Sequence, residues 1–455
     1  MSAQVSNLPQ GAHQAVTSLM EAAKRIEAGA STGEETALRR KAREQFAALG
    51  LPTRRLEAWR YTDLAGALQG PLPPLSSSGD IQLNEPFKGA LGSLDEALEN
   101  ARAQAGGELS ASIVFVDGRF SAQHSRLDKL PKTVRLRAGY VPLANEDVGD
   151  GDNDMLGSLN LSLASDGFEI IVDPNAGAEA FIHLFFASTH KESCSMHSRA
   201  NVRLGKGANL KLFETHAGIG DVPCLQTHIT DVTLDESAKL EHACVEDNGT
   251  QHISLARLKA RLKQEAQLSC AALGVGGKLV RREYNVLFEG GGATAKLSAL
   301  SLANAGETRD INAKLHHKVP DCISDTLVKS VLTDDARGVF QGLVRVEPGA
   351  TQSNGQQTSK ALLLGRGASM NAKPELEIFN DDVECAHGSA VGELDQEALF
   401  YLRARGISEG NARQLLINAF LNDVFERIED DALQLAVESR ALNWLEDASV
   451  RAREA

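Results

Sequence analysis

The chain has 455 residues, too many for one ordinary compact domain, and predicts two or three units. Its 61 acidic side chains against 47 basic ones leave a net charge of −14, which argues against a nucleic-acid binder or a polybasic membrane anchor. The first thirty residues lack the apolar stretch of a signal peptide, and no run of about 18 apolar residues occurs, so a soluble cytoplasmic protein is the expectation.

Taken in chain order, the N-terminal region (residues 1–110) reads as helical. One amphipathic stretch covers residues 13–28 and stops at Gly29; a second opens at Thr32, where Thr32 and Glu35 fit a capping box, and continues through Ala37, Leu38, Ala42, Phe46 and Leu49. Residues 71–79, rich in Pro and Ser, predict an extended linker or loop.

From about Ser112 short alternating segments replace helical periodicity, and this strand-rich character runs to Gly392, giving a second unit over 111–392. Forty glycines supply turns, and with aromatics at 5% the core must rest on Leu, Val, Ile and Ala. An alanine followed two positions later by a large aliphatic recurs at Ile182, Leu210, Leu240, Leu268 and Leu297, with earlier β-rich halves at Val202, Val232, Ala260 and Glu289. A period in this range predicts stacked coils, because one coil alone cannot bury its apolar face. Two-residue alternation makes the coil a β-solenoid rather than a helical repeat; an evenly spaced β-sandwich is the competing reading.

The last unit (393–455) returns to helix. Asp395 opens a short one carrying Leu399, Phe400 and Leu402 and closed by Gly406. Ser408 caps a longer one with the stripe Ala412, Leu415, Leu416, Ala419, Phe420, Val424 and Ile428, and a final helix carries Leu433, Val437, Leu442, Trp444 and Leu445. These helices either close the solenoid end or reach toward a partner.

Most motif matches fail on context. Residues 29–33 match G-x-S-x-G but follow a helix, so they read as a helix-to-helix turn. Residues 150–154 start like a calcium loop but lack its Gly and its bidentate Glu, leaving a solvated acidic loop. There is no G-x-x-x-x-G-K-[ST], so nucleotide hydrolysis must come from another subunit. Cys194 with His197, and His316 with His317, are separated by odd steps and would diverge on a strand. The six cysteines form no C-x-x-C pair and read mostly as small buried hydrophobes. Cys385 and His387 stand two apart and share one face of an extended segment, a soft and a borderline ligand for iron or zinc. By chemistry alone the pair reads first as a buried thiol beside a hydrogen-bonded imidazole, and two ligands do not complete a site.

Residues 373–379 (KPELEIF), 381–388 (DDVECAHG) and 394–407 (LDQEALFYLRARGI), with 355–357 and 361–364 upstream, resemble the signature of the SufB/SufD family. Gly388 after His387, no cysteine before Cys194, and the 52–64 segment with Glu57, Trp59, Tyr61 and Thr62 resemble its SufD branch. The resemblance implies a mainly β fold, a right-handed parallel β-helix between helical regions. It also implies a non-catalytic scaffold subunit for iron–sulfur cluster assembly that pairs with a SufB-like subunit and binds a SufC-like ATPase. On it, His387 acts across the subunit interface as a shared metal ligand or proton carrier, with Cys385 supportive and Ala386 standing where the family often has Ser. No group is held permanently; iron or a nascent cluster is met transiently. The C-terminal helices, through Leu399, Tyr401, Arg403, Leu415, Leu416 and Phe420, would dock the ATPase. Alternatives are a SufB-like homodimeric scaffold, an adaptor with no metal role, and a β-helix carbohydrate-active enzyme.

Overall fold

The computed structural model describes residues 8–75, 99, 102–103, 109–141, 154–177, 179–218 and 222–454. Helix α1 (Gln10–Ala28) begins directly after Pro9 and buries Ala12, Ala15, Val16, Leu19, Ala22 and Ala23, one stripe at three- and four-residue spacing. Helix α2 (Gly33–Leu49) starts on the expected capping box: Thr32 Oγ1 accepts from the Glu35 amide at 3.1 Å, and the Glu35 carboxylate accepts from the Ser31 amide at 3.0 Å. Residues 29–33 are thus the helix-to-helix turn. A 3-10 turn (Glu57–Trp59) and the short α3 (Leu64–Ala67) follow.

Residues 71–75 form no helix, as expected of an extended linker or loop, and they are held in place. Leu72 is buried and the Pro73 carbonyl accepts from the Ser195 amide at 2.9 Å, so this stretch is laid against the strand region; residues 76–79 lie outside the described residues.

Next come β1 (Ala111–Val116), β2 (Arg119–Phe120), β3 (Val134–Ala138), α4 (Met155–Leu163), β4 (Asp166–Val172), β5 (Ala180–Ser188), β6 (Cys194–Leu204), β7 (Asn209–Gly218), β8 (Cys224–Leu234), β9 (Lys239–Asp247) and β10 (His252–Leu262). The strands continue as β11 (Gln267–Gly274), β12 (Leu279–Phe288), β13 (Thr294–Ala303), β14 (Thr308–His317), β15 (Ile323–Leu332), β16 (Arg337–Val346), β17 (Ser353–Leu363), β18 (Ser369–Ile378) and β19 (Val383–Gly392). β1, β2 and the odd-numbered strands from β5 onward form one ten-stranded sheet, and β3 with the even-numbered strands from β4 onward forms a nine-stranded one. Pairing is parallel from β4 and β5 onward, and antiparallel only where β2 and β3 begin the sheets. This is a parallel β-solenoid of about seven turns, as the repeat predicted.

Register corrects the details of that repeat. One inward ladder runs Ala180, Leu210, Leu240, Leu268, Ala295, Ser324, with steps of 30, 30, 28, 27 and 29 residues. Leu210, Leu240 and Leu268 are therefore true equivalents. Ile182 and Leu297 belong to the next ladder, Ile182, Leu212, His242, Cys270, Leu297, two residues along on the same face. In the other sheet Val202, Val232 and Ala260 align with Val286, and Glu289 lies past the end of β12. In six successive coils the residue three before the first ladder turns the corner with positive φ: Gly207, Ser237, Glu265, Gly292, Asp321 and Gln352.

Two further expectations are overturned here. Helix α4 interrupts a region read as strands; its sequence is nearly all buried, so it carries no amphipathic signal. Asp154 is not part of a solvated loop: it accepts from the Gly157 amide at 2.8 Å as N-cap and from Arg257 at 2.7 Å, while residues 150–153 lie outside the described residues. α1, α3 and α4 cover the outer face of the nine-stranded sheet in one apolar cluster with Leu225, Ile229, Ile253, Leu255 and Leu279. Trp59 lies under the Arg281 guanidinium at 3.9 Å, and Thr62 Oγ1 donates to Asp310 Oδ2 at 2.5 Å.

The C-terminal helices are α5 (Gln396–Ala404), α6 (Glu409–Phe425) and α7 (Asp431–Glu454), with Asp395 and Ser408 as N-caps. They lie on the outer flank of the ten-stranded sheet and do not close the solenoid end. Ion pairs Lys239–Glu429, Lys296–Glu429, Arg427–Asp325 and Arg440–Asp247 fix them there, around buried Leu421, Val424, Phe425, Leu433 and Trp444. The buried stripe of α6 is Ala412, Ile417, Leu421, Val424 and Phe425, rotated from the predicted one. Leu415 consequently points to solvent, because an apolar residue on a helix is not obliged to face the core.

Candidate functional site

The strands β4 to β16 are buried along most of their length, since one face meets the solenoid interior and the other is covered by helices or neighbouring coils. The last coil differs. β18 is half-buried except at its exposed end, Glu377 and Ile378, and β19 is mostly exposed, and each is the final strand of its sheet. Among the described residues, their outer backbone edges have no strand partner.

Cys385 and His387 sit on β19, and register shows which way they face. Cys385 pairs with Gly355 and so extends the first inward ladder beyond Ser324; His387 pairs with Gln357 and extends the second beyond Leu297 and Thr326. Both are interior positions whose covering coil is missing. Cys385 is half-buried against the solenoid core, and burial pushes its thiol up from the usual range. A Cβ at Gly355 would lie 3.3 Å from the Cys385 sulfur and 2.9 Å from Val344, so the missing side chain is what seats the thiol. His387 is exposed. Among the described residues, neither belongs to any group of three His, Cys, Asp or Glu side chains close enough to share an ion.

The wall behind them is polar. His317 Nε2 lies 2.9 Å from Ser324 Oγ, and Gln357 Nε2 donates to the Glu375 carbonyl at 3.0 Å. Ile378, Phe379 and Val391 are exposed around the rim of this end. His316 points the other way, to Glu347 at 2.7 Å, so the two adjacent histidines diverge as expected.

The six helix positions separate into two groups. Tyr401, with Arg405 stacked 5.1 Å over its ring, and Leu415 are exposed, and Arg403 pairs with Glu409 at 3.4 Å. Leu399 is buried, and Leu416 and Phe420 pack against the flank cluster, with the Lys329 ammonium 4.7 Å from the Phe420 ring.

Two titratable clusters escaped sequence reasoning. Inside the solenoid, Arg282 donates to Cys244 Sγ and Glu246 at 2.9 Å and to Glu214 at 3.2 Å, while His216 and His242 lie 2.6 and 3.0 Å from Glu214. Burial alone would raise the Glu214 carboxyl; Arg282 and the two histidines overcome it and hold it well below the usual range. This is an internal charge network with its cation already in place. The second cluster, His190, Cys194 and Cys224, sits at a corner of the solenoid. Cys194 does not share it with His197, which bonds Thr227 Oγ1 at 2.8 Å. The repeat length was the available signal: Cys194, Cys224 and His252 pair in one ladder.

Comparison with known proteins fits this architecture. Residues 185–420 match the family model described as SUF system FeS cluster assembly, SufBD core domain. The Escherichia coli iron–sulfur cluster assembly protein SufD is 29% identical over 405 residues, 87% of this chain and 90% of that one. A SufBD family protein of Synechocystis is 25% identical over 87% of this chain and 88% of its own length, and a chloroplastic Arabidopsis thaliana protein 28% identical over 83% and 79%. Solenoid core, flanking helices and matched sequence agree: the chain belongs to the SufBD family of the SUF iron–sulfur cluster assembly system.

Proposed function

We propose that this chain is a non-catalytic scaffold subunit whose open solenoid end pairs with a SufB-like subunit, and that the nascent iron–sulfur cluster is built there as cargo. One observation carries the reading. Cys385 and His387 are interior ladder positions left uncovered, with no third ligand beside them and no partner on the outer edge of their strand among the described residues. A second subunit adding its own strands would satisfy β18 and β19 and bring the missing ligands. His387, exposed to solvent, is then the contributor of a ligand or a proton, and Cys385 the supporting thiol.

The absence of a phosphate-binding loop supports dependence on a SufC-like ATPase. Tyr401, Arg403 and Leu415, at the outer surface of α5 and α6, are the favoured docking contacts; Leu416 and Phe420 hold α6 on the flank that presents them, and Leu399 is buried under α5. No helix among the described residues is long and apolar enough to cross a membrane.

Amide exchange tests the docking. On adding a SufB-like subunit, protection is expected to rise in β18 and β19 and to stay constant in β8 to β12. Protection confined to α1 and α2 would move the interface away from the open end. Equal protection on concentrating the chain alone would favour the homodimeric scaffold.

A further inference from the structure

The corner cluster is not part of the open end and has the form of a metal site. We propose that His190, Cys194 and Cys224 bind a borderline divalent transition metal, Zn2+ or Fe2+, in a tetrahedral Cys2His site. Cys194 and Cys224 open β6 and β8 at equivalent positions of successive coils, and His190 reaches them from the β5–β6 corner. One ring nitrogen of His190 and the two sulfurs all lie within 4.8 Å of one another.

The geometry distinguishes a metal pair from a disulfide. The sulfurs are 3.6 Å apart. Two thiolates on one tetrahedral zinc, each at about 2.3 Å, stand about 3.8 Å apart, whereas a disulfide needs about 2.0 Å. The imidazole is oriented as metal-bound histidines are. Its Nδ1 faces Asp117 Oδ1 at 3.4 Å, and its Nε2 is buried without a partner. Asp117 is itself fixed, accepting from the Thr189 amide at 2.6 Å and the Thr189 hydroxyl at 2.7 Å.

A second observation points to a ligand independently. His252, next in the ladder after Cys194 and Cys224, is fully buried with both ring nitrogens unpartnered, and its ring stacks on His190 at 5.3 Å. Burying an imidazole with neither nitrogen bonded is costly. His252 stands beside the three assembled ligands, with its nitrogens outside the 4.8 Å group that they form. The internal Glu214–His216–Cys244 group offers no place for an ion, because the Arg282 guanidinium already contacts its sulfur and carboxylate.

The test uses the full-length chain, purified without oxygen, stripped with chelator and titrated with Co2+. The expected result is about one tightly bound Co2+ per chain with thiolate-to-cobalt charge-transfer absorption and tetrahedral visible bands, displaced by Zn2+. Cys194→Ser and Cys224→Ser should each abolish the charge-transfer band, and Asp117→Asn, which removes no ligand, should weaken binding about 10- to 100-fold. His387→Ala and Cys322→Ala should leave the titration unchanged, so failure here is separable from failure of the assembly-site reading. Circular dichroism checks that each variant is folded, and Asp117→Asn still reads the site where a cysteine variant does not fold. Absence of a thiolate–cobalt spectrum in the folded wild type, its persistence in the double cysteine variant, or a Cys194–Cys224 disulfide in the anaerobic protein would each overturn the proposal.

Discussion

The middle coils and the last coil of the solenoid are built from the same ladders and end in opposite conditions. In the middle, Leu240 and Leu268 are covered by coils on both sides and are almost inaccessible. At the end, the same ladder reaches Cys385 and the next reaches His387 with nothing beyond them. The ladder Ile182, Leu212, His242, Cys270 and Leu297 continues as Thr326, Gln357 and His387, all polar, toward the open end. A solenoid terminus is ordinarily capped. Here the C-terminal helices, which directly follow the last strand, turn back along the flank and leave the end free.

The difference is sharpened first by pH. His228 is buried inside the closed coils, His183 on the outer face of the ten-stranded sheet and His197 on that of the nine-stranded one beside α4, and burial pushes each down to about 3. The unfolded chain binds these protons near pH 6.5 while the folded one does not, so their contribution is complete above that pH and is lost as pH falls toward 3. Between pH 7 and 5 the loss should be about 2 kcal/mol per histidine. Urea midpoints at the two values check it, and a flat profile would mean that these buried faces admit water.

Next in size, Phe288→Ala empties a closed-coil position where the ring stacks on His317 at 4.3 Å, and should cost about 3–5 kcal/mol. Lys329→Met should cost about 1–3 kcal/mol, because the buried ammonium donates to the Phe420 carbonyl and to Asp423 at 2.5 Å and so ties α6 to the flank; faster amide exchange confined to α6 and α7 is the accompanying sign. Smallest of all, Val391→Ala at the open end, where the residue is half exposed, should change the isolated chain by less than about 0.5 kcal/mol. A loss there as large as that of Phe288→Ala would erase the distinction between the two regions.

The solenoid was legible because Leu210, Leu240 and Leu268 repeat the same surroundings at a nearly constant step. Its register was less so. An alanine two positions before an aliphatic occurs on two adjacent ladders, and a slip of two residues preserves the face. The corners were hidden because only Gly207 and Gly292 among the six positive-φ positions advertise the conformation; Ser237, Glu265, Asp321 and Gln352 adopt it without that mark. Helix α4 was invisible because burial on nearly all sides removes the polar face on which helical periodicity depends. The Cys385–His387 pair was visible as a motif and by resemblance. Its exposure was not, since that depends on a coil the chain does not supply. The corner cluster required aligning Cys194 with Cys224 across a full coil.

The central claim is that the open end becomes a cluster-building site only when a second subunit completes it. Its most direct test is cluster yield in the anaerobically reconstituted complex with SufB-like and SufC-like subunits, comparing wild type with His387→Ala by iron and sulfide content. The account predicts a complex of unchanged composition whose cluster content falls at least about tenfold. Wild-type cluster content in an intact His387→Ala complex would contradict it.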